Sequence, residues 1–224
     1  MNQSELTSVA RQLVAEGKGI LAADESTGTI TRRFKAVGVE STEDTRRAYR
    51  EMLFTTPGIE SHLSGIILYD ETIRQNASSG TPLREMLAVK GIMPGIKVDT
   101  GAKPMALFPG ETITEGLDGL RERIAEYVEM GAKFAKWRAV ITIGRDEATG
   151  ARTPSAYAIR ANAQAMARYA ALCQEGGLVP IVEPEVLIDG DHSIQLSEAV
   201  TTEVLWTTFD ELAAHRVVLE ALLL

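Results

Sequence analysis

Lys136 and Arg138 interrupt an apolar segment, KFAKWRAV at 133–140, and Glu183 and Glu185 interrupt LVPIVEPE at 178–185. Side chains alternate along a strand, so Phe134, Lys136, Arg138 and Val140 share one face and Trp137 points to the other. By the same parity Ile181, Glu183 and Glu185 share a face, provided Pro184 does not break the strand. Other apolar runs end in charge at Asp24, at Asp70-Glu71, and at Lys97 with Asp99. Taken singly, Lys97, Glu183 and Glu185 fit solvated loop charges. Lys136 and Arg138 do not, because a cation inside a buried strand requires a partner; Asp24 and Glu183 are available if the strand ends converge. Such a cluster has a defined chemistry. A lysine amine forms a Schiff base with a ketone, and adjacent carboxylates move the protons that dehydrate the carbinolamine and pass electrons through an enamine. Further Lys and Arg groups, with donors such as Ser26, Gly28 and Thr29, hold phosphate.

The elements that must position these groups are short apolar strands: GILAAD at 19–24, GIILYD at 65–70, GIMPGIKVD at 91–99, the two segments above, and VVLEALLL at 217–224. Amphipathic helices lie between them. One follows Thr153-Pro154, with Pro154 in the first turn, a stripe from Ile159 to Cys173, and Gly176-Gly177 at its end. A second is read from a capping box at Thr112–Glu115 through Leu117, Leu120, Ile124 and Tyr127 to Gly131. A third starts near Ser41, with Asp44 three residues on, and runs to Leu53; a fourth covers Leu196 to His215. Strands alternating with helices give an α/β class with parallel pairing. Periodicity alone leaves an open doubly wound sheet and a (β/α) barrel both possible. Charge near the C-terminal end of several strands favours the barrel, where all strand ends face one central site.

The chain of 224 residues is 45% hydrophobic and 24% charged, enough for one globular domain spanning 1–224. A net charge of −8 gives no concentrated basic face for nucleic acid. The single cysteine, Cys173, excludes an intramolecular disulfide and reads as helix packing. MNQSELTSVARQL lacks the basic start and apolar run of a signal peptide, and no segment has the ~20 apolar residues of a membrane span, so a cytoplasmic protein is expected. His62, His192 and His215 are too far apart for metal-ligand spacing, and neither a G-x-G-x-x-G nor a Walker sequence occurs.

GKGILAADESTGT at 17–29, GIKVD at 95–99 with GLDGL at 116–120, FAKWR at 134–138 and VPIVEPEVLIDGDH at 179–192 closely resemble signature segments of class I fructose-1,6-bisphosphate aldolase. They fall in the family's order across nearly the whole chain. The resemblance implies a (β/α)8 TIM barrel and reversible cleavage of fructose 1,6-bisphosphate to dihydroxyacetone phosphate and glyceraldehyde 3-phosphate. It also implies a lysine Schiff base with no metal and no cofactor, and a homo-oligomer, a tetramer, at full length. Carried over by position, Asp24 is similar to the aspartate that assists carbon–carbon cleavage at the substrate hydroxyl. Glu183 resembles the general acid/base of Schiff-base formation, and Glu185 its supporting carboxylate. Lys136 and Arg138 match the cations beside the carbinolamine, and Ser26, Thr29 and Lys97 match the substrate-phosphate region, with Thr29 standing where the family has serine. In the family a segment like EALLL is followed at once by the Schiff-base lysine, in a context like LLLKPNM, and this sequence stops at Leu224. The expectation is therefore five strand–helix units and a sixth strand, inactive alone for want of the nucleophile. Two other readings are another Schiff-base barrel, such as a transaldolase or deoxyribose-phosphate aldolase, and a truncated noncatalytic scaffold or binding protein of the same ancestry.

Overall fold

The computed structural model describes residues 3–145 and 149–224. Met1 and Asn2, at the start of the segment read for a signal peptide, lie outside them. The chain runs α1 (Gln3–Leu13), β1 (Gly19–Ala23), α2 (Thr27–Ala36), α3 (Glu43–Thr55), β2 (Leu63–Leu68), α4 (Asp70–Arg74), α5 (Leu83–Val89) and β3 (Met93–Lys97). It continues through β4 (Gly101–Pro104), β5 (Thr112–Glu115), α6 (Leu120–Glu129), β6 (Phe134–Ile141), β7 (Gly144–Arg145), β8 (Arg152–Thr153), α7 (Ala156–Gly176), β9 (Val179–Val186) and α8 (Ile194–Ala214). Five strands pair in parallel in the order β1-β2-β3-β6-β9, each beside its successor, as in a barrel wall. Pro184 does not break β9, which stays in register with β6 from Phe134↔Val179 to Ile141↔Val186.

Strand alternation sorts the core. Ala23, Ile66, Leu68, Ile96, Trp137 and Val182 pack outward into the main cluster, against buried residues of the helices. Trp137 is wholly buried and stacks on Tyr169 of α7, with centroids 5.4 Å apart. The inward face carries a second cluster in which Leu6, Ala10 and Leu13 of α1 meet Ile67, Phe134 and Val179. α1 thus plugs the end of the sheet where the strands begin, leaving the other end for polar groups. Cys173 is buried in the main cluster, as its place on the α7 stripe predicts, and burial pushes its thiol pKa up.

Four local readings are corrected. Thr112–Glu115 is not a helix start but β5, antiparallel to β4; its alternating β-branched residues suit a strand, and Gly116 and Gly119, at φ 129° and 63°, stop any helix before Leu120. The cap of α3 is Thr42 rather than Ser41, boxed with Thr45. Pro154 precedes α7, whose N-cap is Ser155. VVLEALLL is not one strand: it holds a 3-10 turn at Leu219–Ala221, and only Leu223 pairs with β9, at Ile181. No helix among the described residues is long and apolar enough to cross a membrane.

Candidate functional site

Beyond Phe134 on the inward face of β6 come Lys136, Arg138 and Val140, and opposite them on β9 come Glu183 and Glu185, paired in register as Arg138↔Glu183 and Val140↔Glu185. A cavity of about 630 Å³ opens here, at the C-terminal ends of the strands. Eight residues expected from the sequence line it: Asp24, Ser26, Thr29, Lys97, Lys136, Arg138, Glu183 and Glu185. Gly28, also expected as a phosphate donor, is not among the lining residues, and neither are Asp70 and Glu71. They begin α4, where Asp70 accepts from Tyr127 (2.9 Å) and Arg74 (3.0 Å), and Glu71 accepts from Arg46 at 2.9 and 2.6 Å.

Lys136 Nζ lies 3.4 Å from Asp24 Oδ2 and 3.0 Å from Glu183 Oε2, joining β1, β6 and β9 across the mouth. Burial pulls the lysine pKa down, but the two carboxylates outweigh it and the net shift is upward, so Lys136 is held as a cation. Arg138 pairs with Glu185, and that hydrogen bond raises its pKa against the effect of burial. Lys97 pairs with buried Asp99, which also accepts from the backbone N–H of Gly101 (3.0 Å) and of Arg138 (3.3 Å), fixing the β3 end to β6.

The loop after β1 supplies a different element. Ser26 caps α2, its Oγ accepting from the Thr29 N–H at 3.4 Å, so the first turn of α2, with its positive dipole end, lies at the cavity where Ser26 and Thr29 line it. Sequence reasoning missed Glu25, Arg32 and Arg33 here. The signal was present: residues 26, 29 and 33 recur at helical spacing, so once a helix starts at Thr27 they fall on one face. Arg33 pairs with Glu25, whereas Arg32 donates to Thr29 Oγ1 (3.4 Å) and has no carboxylate partner among the described residues.

Parallel strands curling about a charged cavity at their C-terminal ends define an α/β-barrel protein whose site is built from strand ends and βα loops. Residues 5–224 match the fructose-bisphosphate aldolase class-I family, and the chain belongs to it. A probable fructose-bisphosphate aldolase class 1 of Xanthomonas campestris pv. campestris is 56% identical over 224 residues, all of this chain and 65% of that protein. The cytosolic fructose-bisphosphate aldolase 6 of Arabidopsis thaliana is 54% identical over 220 residues, 98% of this chain and 60% of that protein. The fructose-bisphosphate aldolase of Plasmodium falciparum, solved in complex with TRAP and a small-molecule inhibitor, superimposes with a TM-score of 0.93 at 45% identity, over 98% of this chain and 62% of that one. The chain thus spans less than two thirds of the length of these relatives.

Proposed function

We propose that these residues form the first part of one barrel domain of an enzyme that reversibly cleaves fructose 1,6-bisphosphate through a lysine Schiff base, acting in the cytoplasm as a homo-oligomer, a tetramer. The observation that carries this reading is Lys136 held between Asp24 and Glu183. A ketose bisphosphate brings anionic ends and a carbonyl. The cavity offers five cations, Arg32, Arg33, Lys97, Lys136 and Arg138, against five carboxylates, Asp24, Glu25, Asp99, Glu183 and Glu185. Arg32, Ser26, Thr29, Lys97 and the start of α2 hold phosphate.

In the cleavage direction a neutral lysine amine adds to the ketone and water leaves, giving an iminium. Glu183 supplies and takes the protons of that dehydration, with Glu185 setting its position through Arg138. The carbon–carbon bond then breaks as its electrons move to the iminium, and the proton of the adjacent substrate hydroxyl passes to a base; Asp24 is the carboxylate assigned to that hydroxyl. Lys136 stabilises the charges of the carbinolamine. The resemblance to the class I aldolases assigns the nucleophile to a lysine following Leu224, and Lys136, held as a cation, keeps an electrostatic role.

The test uses the enzyme at the full length of its relatives, dialysed and assayed with fructose bisphosphate and, separately, with deoxyribose phosphate. Cleavage of the first alone supports the reading. Preference for the second moves the assignment to another Schiff-base aldolase, and inactivity with both moves it to a noncatalytic protein.

A further inference from the structure

Arg50, on α3, is wholly buried, and its carboxylate partners stand at the edge of ion-pair range: Glu25 Oε2 and Glu71 Oε1 are each 3.9 Å away. Its short bonds go to backbone. Nη2 donates to the carbonyl of Glu25 at 2.7 Å and Nε to the carbonyl of Ala23 at 3.3 Å. These are the carbonyls on either side of Asp24. β1 pairs with β2 only as far as Ala23↔Leu68, so the sheet ladder has ended where Asp24 begins. A planar guanidinium presents donors in a fixed fork, which suits two backbone acceptors that flank a single residue. Glu71 cannot move in to take the charge, since Arg46 holds it through both oxygens.

We infer that Arg50 is a positioning residue for the cleavage step: it clamps the backbone on both sides of Asp24 and so aims that carboxylate at Lys136 and the substrate hydroxyl. The inference rests on the function proposed above. Glu183 stands on a different strand and does not share the clamp. Arg50 therefore acts directly on the Asp24 step, and reaches the Glu183 step only through the Lys136 that the two carboxylates share, an unequal effect that a general loss of structure does not produce.

Lysine at this position keeps the charge but loses the fork. In the full-length enzyme, Arg50→Lys is expected to lower kcat for cleavage about 30-fold or more, in line with the cost of displacing a catalytic group by about 1 Å. KM, and the rate at which borohydride traps the enzyme on dihydroxyacetone phosphate, should stay within about three-fold. Phe54→Leu, a buried change on the same helix, serves as a destabilised control and should leave the ratio of cleavage to trapping unchanged. Arg50→Ala supplies a second readout: millimolar guanidinium should restore cleavage where sodium chloride at the same concentration does not. Equal loss of cleavage and trapping, or no loss of either, overturns the inference. So does absence of rescue, and so does failure of both variants to fold, which would make Arg50 a core residue only. An unsubstituted enzyme that neither cleaves nor traps overturns the functional reading and this inference together, whereas an active enzyme indifferent to Arg50 overturns this inference alone.

Discussion

Lys136 has a charge state set by competition. Burial disfavours its ammonium and two carboxylates favour it, and because the carboxylates win, its folded pKa is raised. A raised pKa contributes stability that is complete below the unfolded lysine value of about 10.4 and is lost as pH rises through the folded one. Lys136→Met leaves Asp24 and Glu183 without their shared cation and is expected to cost about 1–3 kcal/mol at neutral pH. Urea unfolding should show that difference shrinking above pH ~10.4; a variant as stable as the parent at pH 7 would contradict the pairing. Ser26 permits a cleaner separation, because its hydroxyl both caps α2 and faces the cavity. Ser26→Ala should cost about 1 kcal/mol, whereas Ser26→Asp retains a cap acceptor and should stay within about 0.5 kcal/mol of the parent. The aspartate nevertheless places an anion where the proposed function puts phosphate, so KM for the bisphosphate should rise about ten-fold or more. If both substitutions altered KM equally, the hydroxyl alone would be the important feature and the charge argument would fail.

At the scale of elements, the floor of the site depends on two glycines. Phe134, wholly buried, lies one inward step below Lys136, and its ring occupies the space that side chains at positions 95 and 65 would need. A Cβ on Gly95 would come within 2.3 Å of the ring and one on Gly65 within 2.8 Å. Gly95→Ala should therefore destabilise by about 3 kcal/mol. Combining it with Phe134→Leu, which vacates part of that space, should recover about 1–2 kcal/mol relative to the sum of the single changes. Additive costs in calorimetry would show that the contact is not limiting. This interlock was invisible in GIMPGIKVD and KFAKWRAV, since parity gave the face of Phe134 but not which strand sits opposite. Parity did carry the charged groups correctly: Lys136 and Arg138 inward, Trp137 outward, Glu183 and Glu185 with the cations. Element boundaries were less legible. Thr112-Ile113-Thr114-Glu115 has the residues of a capping box, but Thr112 and Thr114 donate to the carbonyls of Val140 and Arg138, long-range partners that make it a strand packed on β6.

At the scale of the molecule, the charges that look dispersed in sequence form paired sets around one cavity, and this pairing decides where a nucleophile can reside. A Schiff base requires an amine that can be neutral. Of the two lysines lining the cavity, Lys136 is held by Asp24 and Glu183, and Lys97 is held by Asp99. Lys136, held as a cation, is not the amine that adds to a ketone, and both lysines can steady an anionic substrate. Dihydroxyacetone phosphate and borohydride should therefore leave both unmodified. In the enzyme at the full length of its relatives, intact mass should show one adduct per chain, and peptide mapping should place it on a lysine beyond Leu224; residues 1–224 alone should gain none. Circular dichroism and a cooperative unfolding transition would establish that the shorter chain is folded in that experiment. A stoichiometric adduct on Lys136 would mean that the surrounding carboxylates release its proton in the presence of substrate, and the roles of nucleophile and electrostatic partner would have to be exchanged.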